Sequence, residues 1–127
     1  MARILVVDDE PHIRHFAATW LELHKHKVTL ADNGRDALDV LRKRDFDLLI
    51  TDVGMPKLDG IELIEALRER SLPRAVIVLT ARHDEKQLSV QNPRQHIRVL
   101  SKPFDPQKII VTVQELLGSP PVSGFTK

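Results

Sequence analysis

Six residues of this chain have the types and the spacing to act together on an anionic group: Asp8, Asp9 and Glu10 in one run, then Asp52, Thr80 and Lys102. Two carboxylates about 5 Å apart repel by roughly 3 kcal/mol at an effective dielectric of about 20, so three brought together need a cation to stay ionised. A hard divalent ion meets that need. Mg²⁺ takes oxygen ligands, keeps several waters, and leaves positions open for a phosphoryl donor. With the charge neutralised, one aspartate can act as a nucleophile toward phosphorus and form an aspartyl phosphate. Lys102 can pair with a phosphoryl oxygen as a point charge, and the Thr80 hydroxyl can hydrogen-bond another.

The elements that must position these groups are five short apolar runs at residues 4–7, 28–31, 48–51, 75–79 and 97–100. Their β-branched content reads as strands buried on both faces. Asp8, Asp52 and Lys102-Pro103 follow the first, third and fifth runs, and Thr80 stands at the end of the fourth. Between the runs, apolar residues step at helical spacing: Ile13, Phe16, Trp20 and Leu23 or His24 in the first segment, then Ala37, Leu38 and Leu41, then Ile61, Ile64 and Leu67, and last Ile109, Val113 and Leu116. Pro11 suits a first helical turn behind the cap candidates Asp9 and Glu10, and Gly34, Gly60 and Gly118 mark helix edges. Residues 84–92 hold only Leu88 and Val90 as large apolar residues before Pro93, so a short or mobile element is expected there. Strict β–α alternation implies a doubly wound parallel sheet with helices on both faces, and in such a sheet function gathers beyond the carboxyl ends of the strands.

Composition narrows the classes. At 127 residues, with 42% hydrophobic and 29% charged content, one globular domain is expected, with a core large enough to need no staples. The lack of cysteine excludes thiol catalysis, zinc–thiolate sites and iron–sulfur clusters. Nineteen Lys+Arg against eighteen Asp+Glu give a net charge of +1, which points to neither nucleic acid nor a membrane surface. No apolar run approaches the roughly 20 residues that span a bilayer, and the amino-terminal residues lack signal-peptide architecture, so the expected compartment is the cytoplasm. Residues 119–127 lack periodicity and read as a flexible tail or linker stub after a domain ending near 118.

Four motifs, each at an expected strand end, carry a family resemblance: Val6-Val7-Asp8-Asp9-Glu10, Asp52-Val53-Gly54-Met55-Pro56-Lys57-Leu58-Asp59-Gly60, Leu79-Thr80-Ala81 and Lys102-Pro103-Phe104. The chain resembles the receiver domain of bacterial two-component response regulators over residues 1–118. The resemblance implies a flavodoxin-like five-stranded parallel sheet of order 2-1-3-4-5. It implies Asp52 as the phosphoacceptor, Asp9 and Asp52 as direct Mg²⁺ ligands, Asp8 acting through a metal-bound water, and the Gly54 carbonyl as a further ligand. Thr80 is similar to the switch hydroxyl, Lys102 to the phosphoryl-pairing lysine, and the Lys102–Pro103 bond to one that is typically cis. The implied partners are a sensor histidine kinase or phosphotransfer protein upstream and an output domain or protein target downstream. Direct binding of nucleic acid or membrane is not implied, and the oligomeric state is either a monomer or a phosphorylation-dependent dimer. Catalysis is limited to the domain's own phosphorylation and dephosphorylation.

The sequence departs from the family at several points. Val99 stands where the family carries an aromatic that reports the state of the threonine, and Gln95-His96 stand where a Gly-Ala turn is common. Gly54 and Arg82 occupy the two positions that tune phosphoryl lifetime. Signal is therefore expected to leave by displacement of residues 82–96. The competing reading is a receiver fold used as an interaction module independent of phosphorylation, suggested by Val99 and the irregular 84–92 segment. A flavodoxin-type nucleotide site is disfavoured because its phosphate would need a Gly/Ser/Thr-rich loop where Asp8-Asp9-Glu10 stand. A turnover hydrolase with an aspartate nucleophile is disfavoured because neither a cap domain nor a substrate pocket is expected.

Plainer roles suit other residues. The six histidines, including His12, His15, His24 and His26, read as solvated surface, and Arg42-Lys43-Arg44 as a helix end facing the negative dipole. Asp59-Gly60 shapes a loop and caps the third helix. Trp20 belongs to the core or its rim, about 13 Å along its helix from the acidic end, too far to report on metal by fluorescence.

Overall fold

The protein is described from a computed structural model covering residues 2–54, 57–81, 95–102 and 105–117. Its elements are β1 (Arg3–Val7), α1 (Pro11–Leu23), β2 (Lys27–Ala31), α2 (Gly34–Lys43), β3 (Leu48–Asp52), α3 (Gly60–Glu65), β4 (Ala75–Ala81), β5 (His96–Lys102) and α4 (Pro106–Leu117). The expectations for the 84–92 element, Arg82, the Lys102–Pro103 bond and the 119–127 tail fall outside the described residues, as does displacement of 82–94.

All strand pairings are parallel and the sheet order is β2-β1-β3-β4-β5. Alternation along the strands builds two cores. Ile4, Val6, Leu48, Ile50, Ile77 and Leu79 meet Ala17 and Leu21 of α1 and Ile109, Ile110 and Val113 of α4. Leu5, Val7, Leu49, Val76 and Val78 meet Ala37 and Leu41 of α2 and Leu63 and Ile64 of α3. Because successive side chains point to opposite faces, a strand covered on both sides is apolar along its covered length, as β1, β3 and β4 are over Ile4–Val7, Leu48–Ile50 and Ala75–Leu79 before polar residues begin at their carboxyl ends. The edge strands are not. Along β2, Val28 and Thr29 are half-buried and Leu30 is exposed; in β5, His96 and Arg98 are exposed while Ile97 and Val99 are half-buried. An edge strand lacks a neighbour on one side, which corrects the expectation of five doubly buried strands.

Two helix faces also differ from expectation. The buried residues of α1 are Ala17, Ala18 and Leu21, whereas Phe16 is 42% and Leu23 67% exposed; Trp20 packs at the rim of the first core. Small residues let α1 lie close to the sheet and α4, so volume decides its face rather than hydrophobicity. In α3 the fully buried pair is Leu63 and Ile64, with Ile61 half-buried and Leu67 buried just after the helix. The α3 start carries the expected cap: Asp59 accepts from the Glu62 amide at 2.9 Å, and Glu62 accepts from the Asp59 amide at 3.0 Å. Asn33 caps α2 by accepting from the Asp36 amide at 2.9 Å, and Arg42 and Lys43 fill its last turn. Gln95 is buried and its amide donates to the Arg70 carbonyl at 2.9 Å, tying the start of β5 to the segment after α3.

Candidate functional site

The strand register sets the site. Val7 is level with Thr51, Asp52 with Leu79, and Ala81 with Lys102, so the ends of β1, β3, β4 and β5 share one rim. Asp52 and Lys102 follow their apolar runs as expected and are the last residues of strands that extend past those runs, and Thr80 is the penultimate residue of β4. The backbone ladder continues past the apolar runs because main-chain pairing does not depend on side-chain polarity. By the same two-residue period, Asp52 and Lys102 continue the α1/α4 face, whereas Thr80 continues the α2/α3 face with Val76 and Val78.

Asp8 is fully buried and Asp52 nearly so. One carboxylate oxygen from each of Asp8, Asp9 and Asp52 can be chosen so that all three lie within 4.8 Å of one another. Lys102 Nζ stands 3.2 Å from Asp8 Oδ2, 3.3 Å from Asp52 Oδ1 and 3.6 Å from Glu10 Oε1. The β1–α1 turn is held from several sides. The Glu10 amide donates to Asp8 Oδ1 at 2.9 Å, and the Arg14 guanidinium donates to the Asp8 main-chain carbonyl at 2.7 Å. The Val53 amide donates to Asp52 Oδ1 at 2.9 Å. Gly54 is exposed in the bend that follows. Thr80 Oγ1 is buried with no hydrogen-bond partner among the described residues.

Burial pushes the Asp8 carboxyl above its ordinary range, against the Glu10 amide and Lys102. Burial, and then the Asp8 charge, push Asp52 up as well. For Lys102, burial alone would favour the neutral amine, but Asp8 and Asp52 outweigh it and hold the ammonium. Two carboxyls raised by desolvation mark a site short of positive charge even with Lys102 in place. An all-oxygen donor set of this kind fits a small hard cation.

The expected residues Asp8, Asp9, Asp52 and Lys102 thus converge, with Thr80 on the same rim. Two further residues stand out. Glu10 occupies the N-cap position of α1, yet its side chain makes no capping bond and faces Lys102 instead. His26 departs from the solvated-surface expectation: it is half-buried and its Nδ1 accepts the Ala2 amide at 3.1 Å. Glu10 belongs to the acidic run read from the sequence, but its pairing with Lys102 follows from strand order; His26 carries no local signal, its partner following from the pairing of β1 with β2.

The response regulator receiver domain family matches residues 4–114, and the chain belongs to that family. It is thus a receiver domain of two-component response regulators, a signalling domain. An uncharacterized 14.6 kDa protein of Leptolyngbya boryana is 37% identical over 123 residues, covering 93% of this chain and 92% of that protein. The response regulator SaeR of Staphylococcus aureus is 28% identical over 117 residues, and the match spans about half (51%) of its length. Among solved structures, the response regulator TrrA of Thermotoga maritima in complex with Mg²⁺-BeF is 32% identical with a TM-score of 0.79, covering 91% of this chain and 99% of that one. Among the described residues no helix is long and apolar enough to cross a membrane.

Proposed function

We propose that Asp52 accepts a phosphoryl group from a sensor histidine kinase or phosphotransfer protein, in the cytoplasm and with Mg²⁺ bound, and that the domain thereby signals to an output domain or protein target. The observation that carries this reading is the convergence on Asp52: Lys102 Nζ at 3.3 Å, and the Asp8 and Asp9 carboxylates close enough to share one cation with it. Asp8, Asp9, Asp52 and the Gly54 carbonyl would hold Mg²⁺. When bound, the ion supplies positive charge that lets the carboxylates ionise together and neutralises an incoming phosphoryl group.

The chain's own residues do the rest. The Val53 amide fixes the Asp52 carboxylate by its bond to Oδ1, which presets the direction of the lone pairs aimed at phosphorus. Oδ1 also faces Lys102, so the ammonium that now spans Asp8 and Asp52 is placed to pair with a phosphoryl oxygen once one arrives. Thr80 holds an unspent hydroxyl, and pairing it with the phosphoryl group would draw it across the sheet from the α2/α3 face. That displacement is the switch. The likeness to TrrA, solved in complex with Mg²⁺-BeF, supports Mg²⁺ as the ion.

The test is intact mass after incubation with acetyl phosphate and Mg²⁺, beside Asp52→Asn. One phosphoryl adduct that needs the metal and is lost in the variant is expected. A folded protein that takes no adduct would instead favour an interaction module independent of phosphorylation.

A further inference from the structure

Glu10 sits where a helix cap is expected and makes no cap. Its side chain stays at the mouth of the site, with Oε1 3.6 Å from Lys102 Nζ and Oε2 3.7 Å from His12 Nε2. Lys102 is therefore shared by three carboxylates. They differ in access: the Asp8 side chain is 0% exposed, Asp52 12% and Glu10 49%. Glu10 is the partner most open to solvent, so an anionic group approaching Lys102 meets its charge and competes with it for the ammonium.

We infer that Glu10 is a specificity-determining residue for phosphoryl donors: it slows reaction with small dianionic donors by adding negative charge at the mouth and by competing for the Lys102 ammonium. This rests on the reading of Asp52 as phosphoacceptor. In that reaction an Asp52 carboxylate oxygen attacks phosphorus, a new O–P bond forms, the bond from phosphorus to the acyl oxygen of acetyl phosphate breaks, and acetate departs with the electron pair. The donor's charge must first pass Glu10, and a more highly charged donor is repelled more. A helix N-terminus would ordinarily favour an acidic side chain at this place, but here the carboxylate leans toward Lys102, so its electrostatic effect falls on the entering anion.

The experiment compares wild type, Glu10→Gln and the charge-matched surface control Asp39→Asn at saturating Mg²⁺ and constant ionic strength. Adduct formation is timed by intact mass with dianionic acetyl phosphate and with the less charged phosphoramidate. Glu10→Gln is expected to react roughly three- to tenfold faster with acetyl phosphate at low salt, with a smaller gain for phosphoramidate and a gain that shrinks as salt is added. Asp39→Asn should match wild type. Equal or slower reaction of Glu10→Gln with acetyl phosphate, or equal gains with both donors, overturns the inference and leaves the Asp52 reading standing. No adduct in any of the three proteins overturns both.

Discussion

A β-carbon placed on Gly60 would overlap the main-chain carbonyl oxygen of Asp52, because the first residue of α3 lies directly against the last residue of β3. The Gly60 amide locks that approach by donating to the Val53 carbonyl at 2.9 Å. The loop between them is pinned from its other side too, since a β-carbon on Gly34 would collide with the Leu58 carbonyl. The site carboxylate thus sits on backbone that two glycines allow to close.

Gly60→Ala should therefore strike stability and reactivity together. Neither clashing group is a flexible side-chain end, so the backbone of β3 or α3 must move, at a cost of about 1–3 kcal/mol. The unfolding free energy is expected to fall by that amount, and the urea midpoint by that amount divided by m. The Asp52 adduct should form more slowly in protein that is still folded. A midpoint equal to wild type would show that the close approach carries no load.

Asp52→Asn gives a pH-dependent contrast. Burial and the Asp8 charge hold the Asp52 carboxyl above its ordinary value. Between the ordinary and the raised value the folded state binds more protons than the unfolded chain, so this group's contribution to stability is intact below about pH 4 and is lost as pH rises through the raised value. In metal-free buffer the variant should be more stable than wild type near neutral pH, with the gap closing in acid. Mg²⁺ is expected to reverse the order: at 100 times its dissociation constant, binding would add about 2.7 kcal/mol to wild type and much less to the variant. Urea titrations across pH, with and without Mg²⁺, check both signs. Matching midpoints at neutral pH without metal would refute the first.

Much of this was legible in the sequence, and what was not has a common cause. The continuous apolar runs of β1, β3 and β4 announced buried parallel strands, and the polar residues at their ends announced the rim. The face of α1 was misjudged because hydropathy weights Phe16 and Leu23, while close packing selects Ala17 and Ala18. The sequence grouped Glu10 with Asp8 and Asp9, but its partner was hidden for a different reason. Its partner Lys102 is 92 positions away, and only the placement of β3 between β1 and β4 brings β5 to the same rim. Local rules see a cap candidate there; tertiary order turns it toward the ammonium.

His26 should give the opposite pH sign to Asp52. The Ala2 amide donates to its Nδ1 at 3.1 Å, which requires that nitrogen unprotonated. Burial, with smaller help from nearby positive charge, holds the imidazole below its ordinary value. Here the unfolded chain binds more protons in the window between the two values, so the stabilisation is present above about pH 6.5 and is lost as pH falls through the lowered value. Replacing His26 by Gln is expected to flatten the slope of stability against pH in that range. An imidazole titration followed by NMR at or above the ordinary histidine value would contradict it.

Thr80 is expected to set stability against switching. Its hydroxyl is buried with no partner among the described residues, and an unsatisfied buried hydroxyl costs about 1–3 kcal/mol. Val fills nearly the same volume without the polar atom. Thr80→Val should thus raise the urea midpoint of the unphosphorylated, metal-free protein, a gain of about 1 kcal/mol after imperfect repacking. The same change removes the group proposed to reach the phosphoryl oxygen. Adduct formation at Asp52 should persist, while the amide chemical-shift changes that phosphorylation induces in β4 and β5 shrink. A variant less stable than wild type would mean that the hydroxyl already has a partner, and full-size shift changes would move the switch to another residue.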